Sequence, residues 1–257
     1  MTIQTRAAML TIALLSISPG AWAGPPFLTD DPEPIEYGHS EAYAFATVDA
    51  THGGKTLQLP AAEFNTSPLP DVHLHLVMPL ALNQPDRGSA SYGLGDAEAG
   101  IKYRFVHETD VLPQVGVFPM AELPTGAPGR GLGNGQLWWK LPLWIQKSWG
   151  SWKTYGGGGY AINHATGMRD YAFGGWLLQR ELSDSLALGG EVFTQGATSD
   201  AGRRTTLANF GGLYTPRHAC GGCQLLFSAG HSLSGERHTL AYVALYWEIG
   251  GPSDAAP

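Results

Sequence analysis

In DVHLHLVMPLALN, residues 71–83, the apolar side chains Val72, Leu74, Leu76, Met78, Leu80 and Leu82 alternate with His73, His75, Val77, Pro79 and Ala81. Successive side chains of an extended strand point to opposite sides, so one face of this segment is uniformly apolar and the other is mixed. The same period of two returns along the chain in runs of bilayer-crossing length, each closed by Gly, Pro, Asn or Asp. The runs place strands near 38–50, 55–65, 71–83, 95–107, 113–123, 136–149, 151–163, 169–181, 185–196, 204–215, 222–233 and 237–249. The expected fold is all-β, a transmembrane antiparallel up-and-down β-barrel of about 12 strands, an even number as single-chain bacterial barrels have.

The connections differ in length. Those at 84–94 and 124–135 are long and glycine-rich, whereas 108–112, 150 and 182–184 are short. Long loops outside and short turns inside are the asymmetry of outer-membrane barrels, and it fixes an orientation if both termini lie in the periplasm. Trp149 and Trp152 then flank a tight periplasmic turn, where indoles favour the membrane interface; packing in a soluble core is the alternative.

At the N-terminus Arg6 precedes the apolar stretch 7–17, and Ala21-Trp22-Ala23 offers a small-x-small cleavage site. The division expected from this is a signal peptide over 1–23, a periplasmic segment or plug over 24–37, the barrel over 38–249, and a polar tail over 250–257. After the signal, no run approaches the roughly 18 apolar residues of a membrane helix, so any spanning must be done by strands. The address is the outer membrane of a Gram-negative bacterium.

Composition agrees with that address. Charged residues make up only 14% of the chain, against roughly 25% in an ordinary soluble domain. A surface facing lipid does not need more. The net charge of -7 and the absence of a Lys/Arg cluster leave no footprint for nucleic acid.

In GLGDAEAGIKYRF, residues 93–105, Asp96, Glu98, Lys102 and Arg104 share the face opposite Ile101, Tyr103 and Phe105. Lys or Arg facing mid-membrane lipid costs a few kcal/mol, so these charges point into the lumen. Glu122, Lys140, Gln146, Glu191 and Gln195 join them by the same rule, as do His73 and His75. Two readings of this interior stand side by side. Opposed side chains can fill and cross-link a narrow barrel, or they can line a polar conduit in which Lys102, Arg104 and Lys140 attract anionic groups and Asp96, Glu98 and Glu122 set selectivity. The pair His73 and His75 has no evident third ligand, so no metal and no cofactor is expected. The 124–135 loop, with five glycines in GAPGRGLGNG, can fold inward, where Arg130 would meet Glu98 or Glu122 as a gate across the mouth.

Cys220 and Cys223 form CGGC between the tenth and eleventh strands. With no second pair to complete a zinc site, a small disulfide-closed periplasmic turn is the reading for an exported chain. GRGLGNG lacks the Lys of a phosphate loop, and GHSLS, residues 230–234, has Ser234 where a nucleophile elbow needs its second Gly. The chain is not expected to be an enzyme, although Ser232 with His231 or His238 leaves a lipid-modifying barrel as the alternative.

The order GLGDAEAGIKYRF, ELPTGAPGRGLGNG and LPLWIQKSWGSWKTYGGGGY, with PPFLTDDPEPIEYGHSE before it and LLFSAGHSLSG after it, resembles the outer-membrane proteins named for the meta-cleavage pathway of phenol degradation. The resemblance implies an outer-membrane β-barrel with a transport role. The function expected is passive uptake of small compounds, aromatic or hydrophobic ones among them, with a closed structural barrel as a further alternative. The expected partners are outer-membrane lipid, the barrel-assembly machinery and a small-molecule solute. One departure is the C-terminus, where Trp247 is followed by a polar tail instead of closing the chain on an aromatic residue.

Overall fold

The structure is a computed structural model, and it describes residues 26–216 and 222–250. The expected signal peptide, Cys220 and nearly all of the polar tail lie outside the described residues. Fourteen strands follow in order: β1 (Ser40–Thr51), β2 (Gly54–Leu69), β3 (Val72–Pro85), β4 (Ser91–Leu94), β5 (Ala97–Val106), β6 (Gln114–Val117), β7 (Met120–Leu123), β8 (Trp138–Trp149), β9 (Trp152–Ile162), β10 (Tyr171–Ser183), β11 (Leu186–Gln195), β12 (Thr205–Tyr214), β13 (Gln224–Ser234) and β14 (Thr239–Ile249). Every pairing is antiparallel, and β14 pairs with β1 from Ser40↔Ile249 to Ala50↔Thr239, so the sheet closes on itself.

The closed barrel has twelve staves, because two of them are each broken into two strands. β4 and β5 both lie against β3, through Leu80↔Leu94 and Val77↔Glu98, and the break falls at Gly95 and Asp96. β6 and β7 both lie between β5 and β8, and the break falls at Phe118 and Pro119. Pro119 has no N–H for a ladder, and its carbonyl instead accepts from Ile101 N at 3.0 Å. Both breaks sit where the chain carries a ladder-weakening residue.

The faces separate as the alternation requires. Leu74, Leu76 and Met78 are 39%, 41% and 53% exposed, while the intervening His73 and Val77 are 5% and 9% exposed. Ile101, Tyr103 and Phe105 on β5 and Trp139, Leu141 and Leu143 on β8 continue the outer belt. A continuous exposed apolar surface of this kind is a face for hydrocarbon, and closure removes the edges that lipid could not satisfy. At the tight turn 150–151, Gly150 adopts φ 57, a left-handed conformation that glycine takes without the steric cost of a Cβ. Trp149 there is half-exposed, and Trp152 is capped by Arg180, whose guanidinium carbon is 5.0 Å from the ring centre.

The connection 124–137 lies at one end of the barrel, hereafter the loop end, together with 86–90, 163–170 and 196–204. The opposite, turn end carries 70–71, 150–151 and 184–185, but also the longer 107–113 and the described residues 215–216 and 222–223 between β12 and β13. Cys223, in the last of these, is buried and disulfide-bonded.

Candidate functional site

Alternation delivers the polar side chains of β1, β2, β3, β5, β7 and β8 to one interior wall. Val77↔Glu98, Glu98↔Glu122 and Met120↔Lys140 are direct cross-strand partners, which sets carboxylate beside carboxylate and brings an ammonium to both. Lys140 Nζ donates to Glu98 and lies 3.2 Å from Glu122 Oε1. His75 is the next link, with Nε2 3.1 Å from Glu98 Oε1 and Nδ1 2.8 Å from Asn65 Oδ1. Asn65 Nδ2 donates in turn to Glu63 at 2.8 Å. His73, Glu98, Lys102, Glu122, Lys140 and Glu191 all face the lumen. Arg104 faces it nearer the turn end, where it donates to Asp71 Oδ1 at 2.8 and 2.9 Å and to Gln114 at 3.3 Å.

The N-terminal segment runs through this interior. Its sequence explains why it makes no strand, since Pro26, Pro32 and Pro34 lack the N–H of a ladder and Asp31 turns the chain by accepting from Glu33 N at 2.8 Å. Side chains from all around the barrel hold it. Ser228 Oγ donates to Pro26 O at 2.6 Å, and Glu191 accepts from Leu28 N at 2.7 Å and Thr29 N at 3.3 Å. Lys102 Nζ reaches Asp30 Oδ1 at 3.0 Å and Asp31 Oδ1 at 3.4 Å, and Asp31 has no exposed surface. Gln146 donates to Glu33 at 2.9 Å, with Lys153 3.6 Å from the same carboxylate. Glycines make the space: a Cβ on Gly175 would stand 2.1 Å from Thr29 Oγ1, and one on Gly116 would stand 3.0 Å from Pro32 Cβ.

The segment divides the interior. On its loop-end side lie a vestibule of about 670 Å³ and a chamber of about 420 Å³, which share Phe27, Gln58, Trp138 and Tyr242 in their walls. On its turn-end side, a recess of about 310 Å³ is bounded by Glu33, Arg104 and Gln146. The chamber is aromatic on most sides, with Tyr43, Phe45, Phe118, Trp144 and Phe173 among its walls, and its charges are concentrated on β1, β2, β3, β5, β7 and β8.

The mouth loop departs from expectation. Arg130 does not reach Glu98 or Glu122; its guanidinium donates to Tyr92 O at 3.0 Å on the barrel rim. The arrangement is instead fixed by Asp96, which accepts from Gly126 N at 2.9 Å and from Asn134 N. Main-chain N–H groups gather on that carboxylate, so Asp96 serves the loop more than the lumen wall. Leu132, 4% exposed, is the residue the loop turns inward to the vestibule. Loop glycines allow this approach, since a Cβ on Gly133 would stand 2.2 Å from Asp96 Oδ1.

The Ser and His residues near the rim do not assemble a nucleophile. Ser232 Oγ bonds the main chain of His238, at 3.2 Å to its carbonyl, while His238 Nδ1 pairs with Asp49 at 2.9 Å and His231 Nδ1 with Thr239 at 3.0 Å. Among the described residues no group of three or more His, Cys, Asp or Glu side chains could hold a metal. Sequence reasoning missed Glu41, Glu63 and Tyr242 in the chamber wall, although Glu41, Tyr43 and Phe45 on β1 and Glu63 and Asn65 on β2 keep the same period of two.

No family model and no curated protein matches the sequence. Solved structures do. The COG4313 outer membrane channel from Pseudomonas putida F1 superposes with a TM-score of 0.64 at 14% identity, over 85% of this chain and 98% of that one. The translocator domain of the autotransporter NalP from Neisseria meningitidis gives 0.53 at 12% identity, over 81% and 88%. At such identities the likeness is one of fold, a closed outer-membrane barrel.

Proposed function

We propose that this protein is an outer-membrane channel of a Gram-negative bacterium for passive passage of small solutes with apolar, aromatic bodies, and that its N-terminal segment governs whether the lumen is open. The observation that carries this reading is the axial succession of vestibule, chamber and recess, interrupted by a segment that side chains hold in place. A filled structural barrel would have no need of a vestibule and chamber of that size behind its mouth. The loop end faces outward and the turn end faces the periplasm, with lipid around the belt and the barrel-assembly machinery as the partner in biogenesis. Asp30, Asp31, Glu33, Glu41, Glu63, Glu98, Glu122 and Glu191 outnumber Lys102, Arg104, Lys140 and Lys153 inside, so passing ions are preferentially cations.

The test compares the chain processed after Ala23 with a variant lacking 26–33, both reconstituted in planar bilayers and in liposomes. The variant should conduct more and admit larger solutes in a swelling assay. A barrel that is silent with and without the segment would refute the channel reading. Lipid hydrolysis measured on the same preparations addresses the enzymatic alternative.

A further inference from the structure

One corner of the chamber carries chemistry that the occluding segment does not use. Glu41 and Glu63 enter it from neighbouring strands, through the pairs Tyr43↔Glu63 and Glu41↔Asn65. Glu41 accepts from Tyr246 Oη at 2.9 Å, Tyr43 Oη at 3.0 Å and Asn65 Nδ2 at 3.4 Å, all neutral donors. Glu63 has Asn65 and, at 3.5 Å, His75 Nδ1. Among the described residues no Lys or Arg nitrogen lies within 4.0 Å of either carboxylate. The ammonium groups of the chamber wall contact other carboxylates: Lys102 is held by Asp30 and Asp31, and Lys140 by Glu98 and Glu122.

A second, independent observation stands beside them. His73 faces the same chamber, is 5% exposed, and has neither ring nitrogen hydrogen-bonded. Tyr242 Oη is also without a partner, and its ring stacks on Phe45 at 5.6 Å between centroids. Buried polar groups are ordinarily paired, so an imidazole and a hydroxyl with unused hydrogen-bonding capacity, beside two carboxylates that no Lys or Arg contacts and of which only Glu63 has an ion-pair partner, His75, mark a place where a further donor can be taken up. The remaining surfaces of the corner, Tyr43, Phe45 and Tyr242, are aromatic, and ring faces attract cations.

We infer that this corner is a binding site for a compact organic ammonium ion, its N–H groups directed to Glu41, Glu63, His73 and Tyr242 and its apolar body against the aromatic wall. The inference deepens the channel reading by naming the charge of the solute. An anion is disfavoured by both carboxylates, and a neutral compound of the same shape gains only the apolar contacts. A guest has to share the chamber with Phe27 and Leu28 of the N-terminal segment, so entry comes from the vestibule.

The experiment uses three probes of one shape, benzylammonium, benzyl alcohol and benzoate, titrated calorimetrically into the processed full chain in detergent at pH 7. Benzylammonium should bind at least tenfold more tightly than benzyl alcohol, and benzoate should not bind. Glu41→Gln and Glu63→Gln should each weaken benzylammonium about tenfold and leave benzyl alcohol unchanged, with Tyr242→Phe giving a smaller loss. Comparable binding of the alcohol or the carboxylate, no binding of the ammonium, or carboxamide variants that bind it as the parent does would each overturn the site. If a carboxamide variant fails to show the heat-modifiable migration of a folded barrel, the probe series on the parent chain and Tyr242→Phe still decide. A barrel that conducts without discriminating among the probes keeps its channel role and loses this site; one that binds benzylammonium but conducts nothing even without 26–33 does the reverse.

Discussion

Lys102→Met should open the lumen without disturbing the barrel. Lys102 is 2% exposed, and its ammonium faces Asp30 and Asp31, the latter wholly buried. Methionine keeps the stem and its packing but leaves the two carboxylates without a counter-charge whenever the segment is docked. Breaking a buried pair from one side costs about 3–5 kcal/mol, because the stranded charge stays out of water. Here the stranded charge belongs to a movable element, and leaving the lumen relieves the cost. At about 1.4 kcal/mol per tenfold, the ratio of undocked to docked segment should rise by roughly 10² to a few times 10³. The remaining bonds to Glu191, Ser228 and Gln146 decide how far that carries toward full opening. The assay is single-channel recording on refolded protein, with more frequent or larger open events expected for the variant. Asp30→Asn with Asp31→Asn in the same chain removes the stranded charges and should restore the parent's closure. If Lys102→Met records like the parent, or if the added carboxamides do not reverse its effect, the electrostatic latch is refuted.

Leu74→Arg or Leu76→Arg puts a guanidinium on the lipid face and should lower stability in bilayers by about 2–4 kcal/mol each, while His75→Gln on the other face still inserts; equal damage at all three positions in a folding assay would contradict the assignment of faces. Replacing both Arg104 and Lys140 by neutral residues should move the reversal potential further toward cation selectivity in the variant lacking 26–33, and an unchanged potential would remove them from the ion path. Asp96→Ala frees Gly126 N and Asn134 N, so trypsin should cut after Arg130 faster than in the parent, with equal rates counting against Asp96 as the anchor. His238, in the connection 235–238 at the loop end, is raised above the ordinary histidine range by its hydrogen bond to Asp49. Its stabilising contribution is therefore complete below the unfolded value of about 6.5 and is lost as pH rises through the raised value. A ring resonance titrating at or below the reference, or one that Asp49→Asn leaves in place, would contradict this.

The barrel was legible because a period of two is a property of strand backbone, and twelve alternating runs suffice to give staves, faces and closure. The two broken staves had their signals in the sequence, Gly95 and Pro119, but a run of alternation shows a strand and not the one place where its ladder lapses. Which charges face inward could be read from parity; their partners could not. Lys102 meets Asp30 across 72 positions of the chain, and no periodicity links a strand lysine to an aperiodic Pro-rich segment. The loop shows the same limit. Glycine content announces that 124–135 can approach the barrel, yet Asp96 collects the loop through main-chain N–H groups that every residue carries, so the side chain with the conspicuous charge, Arg130, was the wrong one to follow.

These two kinds of legibility correspond to two kinds of cohesion. The staves are joined by continuous antiparallel ladders that close from β14 to β1, and their outer faces are matched to lipid, so the barrel's integrity does not depend on what occupies the lumen. The N-terminal segment has no ladder. It is held by Glu191, Lys102, Gln146 and Ser228, individual side chains on separate strands, each contributing a bond whose loss leaves the sheet intact. The proposed channel role needs that division of labour: an element can be released at a cost of a few bonds only if those bonds are not the ones that close the wall. Gly175 points the same way, since a Cβ there would meet Thr29 Oγ1 of the segment, at 2.1 Å, before any atom of the wall.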